Sequence, residues 1–398
     1  MQLTVLLLAI TAAAFAAPPA VDTNKAGMDA ERLARIPARM KSYVEKGTIS
    51  GAVTLVGRHG TLASLEAVGY QDIESKKPMS TDTVFQIMSM TKPVTGVAAM
   101  ILLEDGKLAL SDPVEKYLPE FRGQQLIGQR DEKSISLKKP SRLITVRDLM
   151  THTSGMGDYP EGIKDLAVKK NRTLAEAVAI VAQHPLEFEP GTRWLYSNTG
   201  LNTLGRIVEV VADHPFDQFV LDRICKPLGM KDTLFTPPPA MYDRIATVYD
   251  LKDGKLRRAD VDHYNRNSKF IRASGGLFST ASDMARFYQM MLNGGTLEGQ
   301  RILSRASVEV MTALHTGGIK VSGPGMGWGL TWAVVRDAAG TLNMQSTGAY
   351  GHGGALGTYG WVDPKKDLLG VLMIQRASGG DAGERNTLLE LAGTAILD

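Results

Sequence analysis

Cysteine is nearly absent from this sequence. Only Cys225 is a cysteine among 398 residues, so an internal disulfide is excluded and the hydrophobic core alone must hold the fold. The hydrophobic fraction of 43% is ample for a large core in a chain of this length. Cys225 lies in a stretch with apolar residues at helical spacing that ends at Pro227-Leu228-Gly229. This pattern predicts a helix packed on the core and not a nucleophilic thiol.

The sequence also lacks an excess of charge of one sign. Lysine and arginine number 45 against 42 aspartates and glutamates, which gives a formal net charge of +3. Proteins that bind nucleic acids carry a concentrated basic face, so this near balance leads us to expect no nucleic-acid partner. No His-Glu-x-x-His motif and no clustered His and Cys spacing occur. We therefore predict neither a metal ion nor another cofactor.

Long hydrophobic runs are absent except at the start. Residues 3–16 carry no charge and end in an Ala-x-Ala pattern, so residues 1–17 are predicted to be a secretory signal peptide. No Lys or Arg precedes the run, and a short membrane anchor is the alternative. The run is shorter than the ~20 residues that span a bilayer. We therefore expect a linker over residues 18–28 and a periplasmic or secreted mature protein without a stable membrane span.

The order of the predicted elements indicates an α+β fold. A helical pattern covers residues 29–47, and β-rich segments flank tight turns near both chain ends, at 50–57, 62–70, 357–362 and 368–375. A further helix is predicted from about Asn386. Strands contributed by both chain ends favour one antiparallel sheet with helices on its faces.

The long middle of the chain is mostly helical in pattern. The clearest candidate helices are 145–150, 173–183 and 201–212. We therefore expect one domain over residues 29–398. It would consist of a sheet subdomain (29–122 and 296–398) with an inserted, mostly helical subdomain (123–295).

The strongest chemical signal is a Ser-x-x-Lys sequence. Ser89 opens an apolar stretch that carries no charge except Lys92. Pro93 is tolerated only in a first helical turn, so Ser89 is predicted at the N-terminus of a buried helix with Lys92 on the same face. Burial disfavours a charged amine, and a deprotonated lysine can activate a serine hydroxyl. Ser89 is therefore the candidate nucleophile and Lys92 the candidate base.

A second Ser-x-x-Lys occurs at Ser136 and Lys139. It follows a charged segment that is predicted to be a solvated loop, where nothing would desolvate the lysine, so we reject Ser136 as a nucleophile. No Gly-x-Ser-x-Gly occurs, which argues against the nucleophile elbow of an α/β-hydrolase.

Two later segments carry further candidate site residues. Tyr196-Ser197-Asn198 is the only Tyr-x-Asn in the chain. A phenol beside an ammonium can lose its proton and act as a base, and an asparagine amide can hold a substrate carbonyl. The glycine-rich stretch from Tyr350 to Trp361 suggests a strand that approaches a ligand closely and can supply an N–H to an oxyanion. His352 is its only ionisable group apart from tyrosine.

In this order, these elements resemble the penicillin-recognising serine hydrolases. That superfamily includes class C β-lactamases, D-Ala-D-Ala carboxypeptidases, D-aminopeptidases and family VIII esterases. The segment 149–155 is similar to the family's L-L-T-H-T-S-G, and 190–198 to its P-G-x-x-x-x-Y-S-N. Pro227-Leu228-Gly229-Met230 and Ser274-Gly275-Gly276-Leu277 also have counterparts. The resemblance runs from about residue 47 to the C-terminus and implies a β-lactamase/transpeptidase-like fold.

The resemblance implies a role for each candidate residue. Ser89 would form an acyl-enzyme, and Lys92 and Tyr196 would share proton transfer. Asn198 would contact the substrate. The backbone N–H groups of Ser89 and Ala355 would form the oxyanion hole.

The main departure from the family lies in the strand. Where β-lactamases carry Lys-Thr-Gly, this chain has His352-Gly353-Gly354, which would also contact the substrate. Lysine provides a fixed charge for a substrate carboxylate, whereas histidine is charged only in part near neutral pH. This departure disfavours strong β-lactamase activity. His152 lies in a Ser/Thr/Gly turn and is predicted to be structural.

Several functions remain open at this point. The leading hypothesis is an exported, metal-free serine hydrolase that cleaves a small-molecule ester or amide through a Ser89 acyl-enzyme, with a carboxylesterase-type activity. A D-Ala-D-Ala carboxypeptidase or D-aminopeptidase acting on D-peptides, and a weak β-lactamase, are alternatives within the superfamily. A non-catalytic sensor of penicillin-like ligands is the non-enzyme alternative, although the retention of Ser89, Lys92 and Tyr196 together argues against it. The oligomeric state is not predicted.

Overall fold

The computed structural model describes residues 20–131, 134–159, 171–259, 268–378, 380–381 and 383–398. The predicted signal peptide, residues 1–17, lies outside the described residues and stays a prediction. The described part of the expected linker packs on the domain, because Ala26 and Met28 are buried. Asp22 N–H donates to the Leu62 carbonyl, and Met28 forms a β-bridge with Ile396.

The helices largely follow the predicted pattern. The first predicted helix is divided at Ala34 into α1 (Ala30–Leu33) and α2 (Arg35–Glu45). The other helices among the described residues are α3 (Thr91–Glu104), α4 (Val146–Thr151), α5 (Leu174–Ala182), α6 (Asn198–Ala212), α7 (Phe216–Val220), α8 (Ala281–Leu292), α9 (Arg305–Thr312), α10 (Ala338–Thr341) and α11 (Glu384–Thr394). Thr145 and Thr173 cap α4 and α5 in capping boxes, which explains why these helices begin there. None of the described helices is both long and apolar enough to cross a membrane.

One eight-stranded sheet forms the centre of the fold. Its order is β12 (Met326–Trp328), β13 (Ala333–Val335), β14 (Tyr350–Gly353), β15 (Tyr359–Asp363), β16 (Leu368–Met373), β1 (Gly51–Arg58), β2 (Thr61–Asp72) and β3 (Lys77–Pro78). Every neighbouring pair is antiparallel, and β16 from the C-terminal end pairs directly with β1 from the N-terminal end. The predicted α+β fold with a sheet built from both chain ends is therefore confirmed.

Both faces of this sheet are covered. In β1, Val53 and Leu55 join the large core that also contains α3, α6 and α8, while Ala52 and Val56 join a second core with α2 and α11. Side chains alternate between the faces of a strand, so a strand with two buried faces is apolar at nearly every position. The site described below lies on the side of α3 and α6.

The middle of the chain contains β-hairpins as well as helices. The hairpins there join β5 (Leu126–Arg130) to β6 (Ile135–Lys138) and β7 (Tyr249–Lys252) to β8 (Lys255–Arg258). A separate two-stranded sheet pairs β4 (Phe85–Gln86), which precedes this region, with β9 (Phe278–Ser279). The segment expected to be a solvated loop around Ser136 is thus a hairpin, although all four residues of β6 are exposed. β10 (Thr296–Leu297) and β11 (Gln300–Arg301) form one more short hairpin. Cys225 is buried at the end of the π-helical turn that follows α7, in agreement with its predicted packing on the core.

Candidate active site

Ser89 lies at the entrance to α3. It is the middle residue of a 3-10 turn, Met88–Met90, that runs directly into the helix. Met88 has a φ of 48°, in the left-handed region that disfavours side chains larger than glycine. Gly275 packs against the Met88 backbone, where an added Cβ would lie 3.4 Å from the carbonyl carbon. Such backbone outliers are concentrated at active sites, because the surrounding structure must hold them in place.

Lys92 is the second residue of α3, one helical turn after Ser89, and is fully buried. Its Nζ is 3.0 Å from Ser89 Oγ, 2.9 Å from Asn198 Oδ1 and 2.7 Å from the Ser274 carbonyl oxygen. Burial lowers the pKa of Lys92 well below its usual value, and the charge of Arg272 lowers it further, whereas Asp158 acts in the opposite direction. The site therefore favours the neutral amine next to the serine hydroxyl.

Asn198, the first residue of α6, and Tyr196, two residues before it, both lie beside Lys92. The Lys92 Nζ is 4.7 Å from the centre of the Tyr196 ring. Burial raises the pKa of Tyr196 above its usual range, and a hydrogen bond with the Ser89 side chain offsets only part of that increase. The phenol therefore keeps its proton at neutral pH. This is the reverse of the sequence expectation, which assumed a charged ammonium beside the ring.

His152 fixes the loop that precedes α6. It ends α4 in the left-handed conformation, with a φ of 60°. Its Nδ1 accepts a hydrogen bond of 3.0 Å from the Ser197 N–H, and Ser197 Oγ in turn caps α6 by accepting from the Gly200 N–H at 2.9 Å. Burial lowers the pKa of His152, so the ring is neutral. These contacts support the prediction that His152 is a structural residue.

The end of β14 lies against the segment that carries the nucleophile. Thr358 Oγ1 donates to the Ile87 carbonyl oxygen at 3.1 Å, two residues before Ser89. A Cβ at Gly354 would be 2.4 Å from the same oxygen, so this approach requires glycine. Ala355 is exposed in the tight turn that follows. Within the described part of the chain, its N–H has no hydrogen-bond acceptor.

His352 is buried at the back of the site and carries no charge at neutral pH. Its Nδ1 donates to the Gly353 carbonyl oxygen at 2.8 Å. Burial is the main reason why the pKa of His352 falls to about 3, and the charges of Lys92 and Arg385 add to it. The expectation that His352 is charged in part near neutral pH is therefore wrong, because sequence reasoning assumed a solvated ring.

The agreement with known proteins extends over most of the chain. A model of the Beta-lactamase family matches residues 36–394. The chain belongs to the Beta-lactamase family. This match confirms the resemblance stated above and makes the protein a member of a family of serine hydrolases with the β-lactamase/transpeptidase-like fold.

Similar proteins within the Beta-lactamase family include an esterase. Protein Rv1367c of Mycobacterium tuberculosis is 36% identical over 358 residues, which cover 85% of this chain and 88% of that protein. Esterase EstB of Burkholderia gladioli is 29% identical over 391 residues, which cover 91% of this chain and 95% of EstB. The solved structure of EstCE1, described as a hydrolase with promiscuous acyltransferase activity, has a TM-score of 0.78 at 26% identity. That match covers 92% of this chain and 99% of EstCE1.

The structure adds three residues to the predicted site of this Beta-lactamase family member. They are Ser274, whose carbonyl oxygen contacts Lys92, and Arg272 and Asp158, whose charges act on Lys92 in opposite directions. In the sequence, the similarity of Ser274-Gly275-Gly276-Leu277 to a family segment is the feature that points to this part of the site. No local pattern marks Arg272 or Asp158, since their effect depends on distance in the folded chain.

Metal-ligating side chains are not clustered in the part of the chain that the structure describes. No group of three or more His, Cys, Asp and Glu residues is placed there to hold a metal ion.

Proposed function

We propose that this protein is an exported serine hydrolase of the carboxylesterase type, which forms an acyl-enzyme on Ser89. The observation that carries the proposal is the position of Lys92, a fully buried amine 3.0 Å from the Ser89 hydroxyl. A serine hydroxyl becomes a good nucleophile only when a base accepts its proton. The lowered pKa of Lys92 makes its neutral form available for that role.

The contacts of Lys92 support a definite direction for each hydrogen bond. A neutral amine has two N–H groups and one lone pair. The Asn198 Oδ1 and the Ser274 carbonyl oxygen can only accept, so they receive the two N–H groups at 2.9 Å and 2.7 Å. The lone pair then faces Ser89 and accepts its hydroxyl proton.

Tyr196 is suited to act as the proton donor. Its raised pKa keeps the phenol protonated, and the centre of its ring lies 4.7 Å from the Lys92 Nζ, next to Ser89. When Ser89 Oγ attacks an ester carbonyl, Lys92 accepts the serine proton. Tyr196 delivers a proton to the leaving alcohol oxygen and regains one from Lys92. In the second half-reaction water attacks the acyl carbonyl, Tyr196 takes the water proton and passes one to Lys92, and Lys92 returns a proton to Ser89 Oγ as the acyl–serine bond breaks.

The turn after β14 supports an oxyanion hole. The N–H of Ala355 has no acceptor among the described residues, and the turn is held against Ile87, two positions from Ser89. Together with the N–H of Ser89, it can stabilise the negative oxygen that develops during attack. Gly353 and Gly354 would allow the substrate to approach the strand.

The choice of an ester substrate rests on His352. A neutral histidine stands where the resembling β-lactamases have a lysine, so the strand offers no fixed charge to a β-lactam carboxylate. Similarity to an esterase, EstB, is consistent with this choice. D-peptidase and weak β-lactamase activities are the alternatives within the same mechanism.

A substrate panel on the wild type, Ser89→Ala and Ser136→Ala tests the proposal. We expect the wild type to hydrolyse p-nitrophenyl butyrate and Ser89→Ala to lose at least ~10⁴-fold in kcat/KM, because the attacking group is missing. Ser136→Ala is the matched control, since it removes the serine of the other Ser-x-x-Lys from an exposed strand. It should retain wild-type activity.

Other outcomes would refute parts of the proposal. Full activity in Ser89→Ala would contradict the site assignment. Faster turnover of an N-acyl-D-Ala-D-Ala peptide or a chromogenic cephalosporin would favour the corresponding alternative. No turnover of any substrate, together with no adduct from a fluorophosphonate probe, would contradict the enzyme proposal and favour a ligand sensor.

Export is proposed from the N-terminal sequence. The uncharged run over residues 3–16 and its Ala-x-Ala pattern support cleavage near residue 17. N-terminal sequencing of the protein recovered from periplasm or medium should begin within one or two residues of Pro18. Recovery of the uncleaved chain in the membrane fraction would favour an anchor.

A further inference from the structure

Arg272 occupies a rigid turn beside the site. The Gly275 N–H donates to the Arg272 carbonyl oxygen at 3.1 Å and closes the turn. The Ser274 N–H donates to Asn202 Oδ1 at 2.9 Å, and the Ser274 carbonyl oxygen accepts from Lys92. Since two residues of chain span ~7 Å at most, the backbone of Arg272 is anchored within that distance of the Lys92 contact.

The side chain of Arg272 is partly buried and has no counter-ion among the residues that the structure describes. It forms no hydrogen bond with those residues either, and burial lowers the pKa of Arg272, as expected for a cation removed from water. Other buried arginines have partners. Arg58 pairs with Asp398 at 2.6 Å, and Arg376 pairs with Glu384 at 2.7 Å. Removing a cation from water without a partner is energetically unfavourable. We therefore expect Arg272 to bind an anion that is not part of this chain.

The surroundings of Arg272 indicate where that anion would lie. The backbone of Arg272 is held within ~7 Å of the contact between Ser274 and Lys92, and the charge of Arg272 lowers the pKa of Lys92. Lys92 favours its neutral form and does not compete for a negative charge. The guanidinium fork matches the two oxygens of a carboxylate, and it stays charged at all working pH values. His352 offers no charge on the strand side of the site.

We propose that Arg272 is a specificity-determining residue that binds a carboxylate carried by the substrate. This inference rests on the proposed function, because it assigns the substrate class of the same site. The substrate would be an anionic ester with a carboxylate several atoms from the scissile carbonyl. Recognition of the anion would then occur on the side of α3 and α6, and not on β14 as in the β-lactamases that this chain resembles.

A comparison of three p-nitrophenyl or phenyl esters tests this inference. The neutral ester is p-nitrophenyl butyrate. Mono-p-nitrophenyl glutarate carries the carboxylate on the acyl part, and 4-butyryloxybenzoate carries it on the alcohol part. We expect the wild type to prefer one anionic ester over its neutral counterpart. In Arg272→Gln, the ratio of anionic to neutral kcat/KM should fall ~10- to 100-fold, mainly through KM, because a charged hydrogen-bonded pair is lost.

Two variants control for general effects. Arg193→Gln removes a positive charge from an exposed residue near Tyr196, where Arg193 lies 5.2 Å from the centre of the Phe188 ring. It should leave the ratio unchanged. Arg272→Lys keeps the charge without the fork and should give an intermediate ratio. The ratio cancels any effect that Arg272 has on Lys92, because both substrates use the same base.

The outcomes separate this inference from the proposed function. If the esters are hydrolysed but Arg272→Gln and Arg272→Lys keep the wild-type ratio, the inference is wrong and the proposed function stands. If no ester is hydrolysed, calorimetric titration with glutarate and glutaramide tests the inference alone. The inference would be supported if the wild type binds glutarate more tightly than glutaramide and Arg272→Lys binds glutarate more weakly than the wild type. Equal binding of the two compounds to the wild type would overturn it.

Discussion

Gly354 connects the packing of the sheet to the chemistry at Ser89, and Gly354→Ala is the sharpest test of that connection. An added Cβ would lie 2.2 Å from Thr358 Oγ1 and 2.4 Å from the Ile87 carbonyl oxygen. Ile87 cannot move away easily, because its N–H donates to the Leu277 carbonyl oxygen at 3.0 Å. The turn that carries Ala355 must therefore move outward.

The size of the displacement sets the expected effect. Restoring a separation of 3.0 Å from the Ile87 oxygen requires a shift of about 0.6 Å, and the Ala355 N–H would move with the turn. A displacement of ~1 Å in a reacting geometry can cost ~10²-fold in rate. We therefore expect Gly354→Ala to lower kcat for p-nitrophenyl butyrate by ~10- to 100-fold. Overpacking should also cost ~1–3 kcal/mol of stability.

Gly318→Ala is the matched control. Gly318 is exposed, has no atom within 4 Å of an added Cβ and does not have a positive φ. Its substitution should leave both kcat and Tm at wild-type values. Steady-state kinetics and thermal unfolding would be measured on all three proteins. A Gly354→Ala enzyme with kcat within twofold of the wild type would refute the idea that this turn positions an oxyanion donor.

Two further predictions concern charges around the site and in the core. The charge of Arg272 lowers the pKa of Lys92, and the charge of Asp158 raises it. On a neutral ester, the acidic limb of the pH profile of kcat/KM should therefore move to higher pH in Arg272→Gln and to lower pH in Asp158→Asn. Shifts of both variants in the same direction would contradict the assignment of Lys92 as the base. Arg376→Met should destabilise the fold by about 3–5 kcal/mol, because it removes the guanidinium that pairs with the buried carboxylate of Glu384 at 2.7 Å. Urea unfolding would measure this loss, and a loss below 1 kcal/mol would contradict it.

The sheet could be predicted where its strands are buried on both faces. The strands β1 and β16 are apolar at nearly every position because helices cover both sides, and this signal is visible in the sequence. The short edge strand β12 and its neighbour β13 carry no comparable pattern. The hairpin of β5 and β6 was also not predicted, since exposed strands need not contain apolar residues.

The same division applies to the site. Ser89 and Lys92 are three positions apart, so a single helical turn brings them to the same face, and the sequence predicts their contact. The other two acceptors of Lys92 are 106 and 182 positions away in the chain. Their contact with Lys92 follows from the packing of α6 and the 272–275 turn against α3.

The sequence by itself determined the family, the sheet formed by the two chain ends and the pairing of Ser89 with Lys92, because each depends on local order or on strong burial patterns. Only the tertiary structure decided the protonation states. Tyr196 keeps its proton and His352 is neutral because burial removes water from both, and burial is a property of the whole fold. The charge of Arg272, which has no ion-pair partner in the part of the chain that the structure describes, likewise becomes evident only when distant segments are packed together.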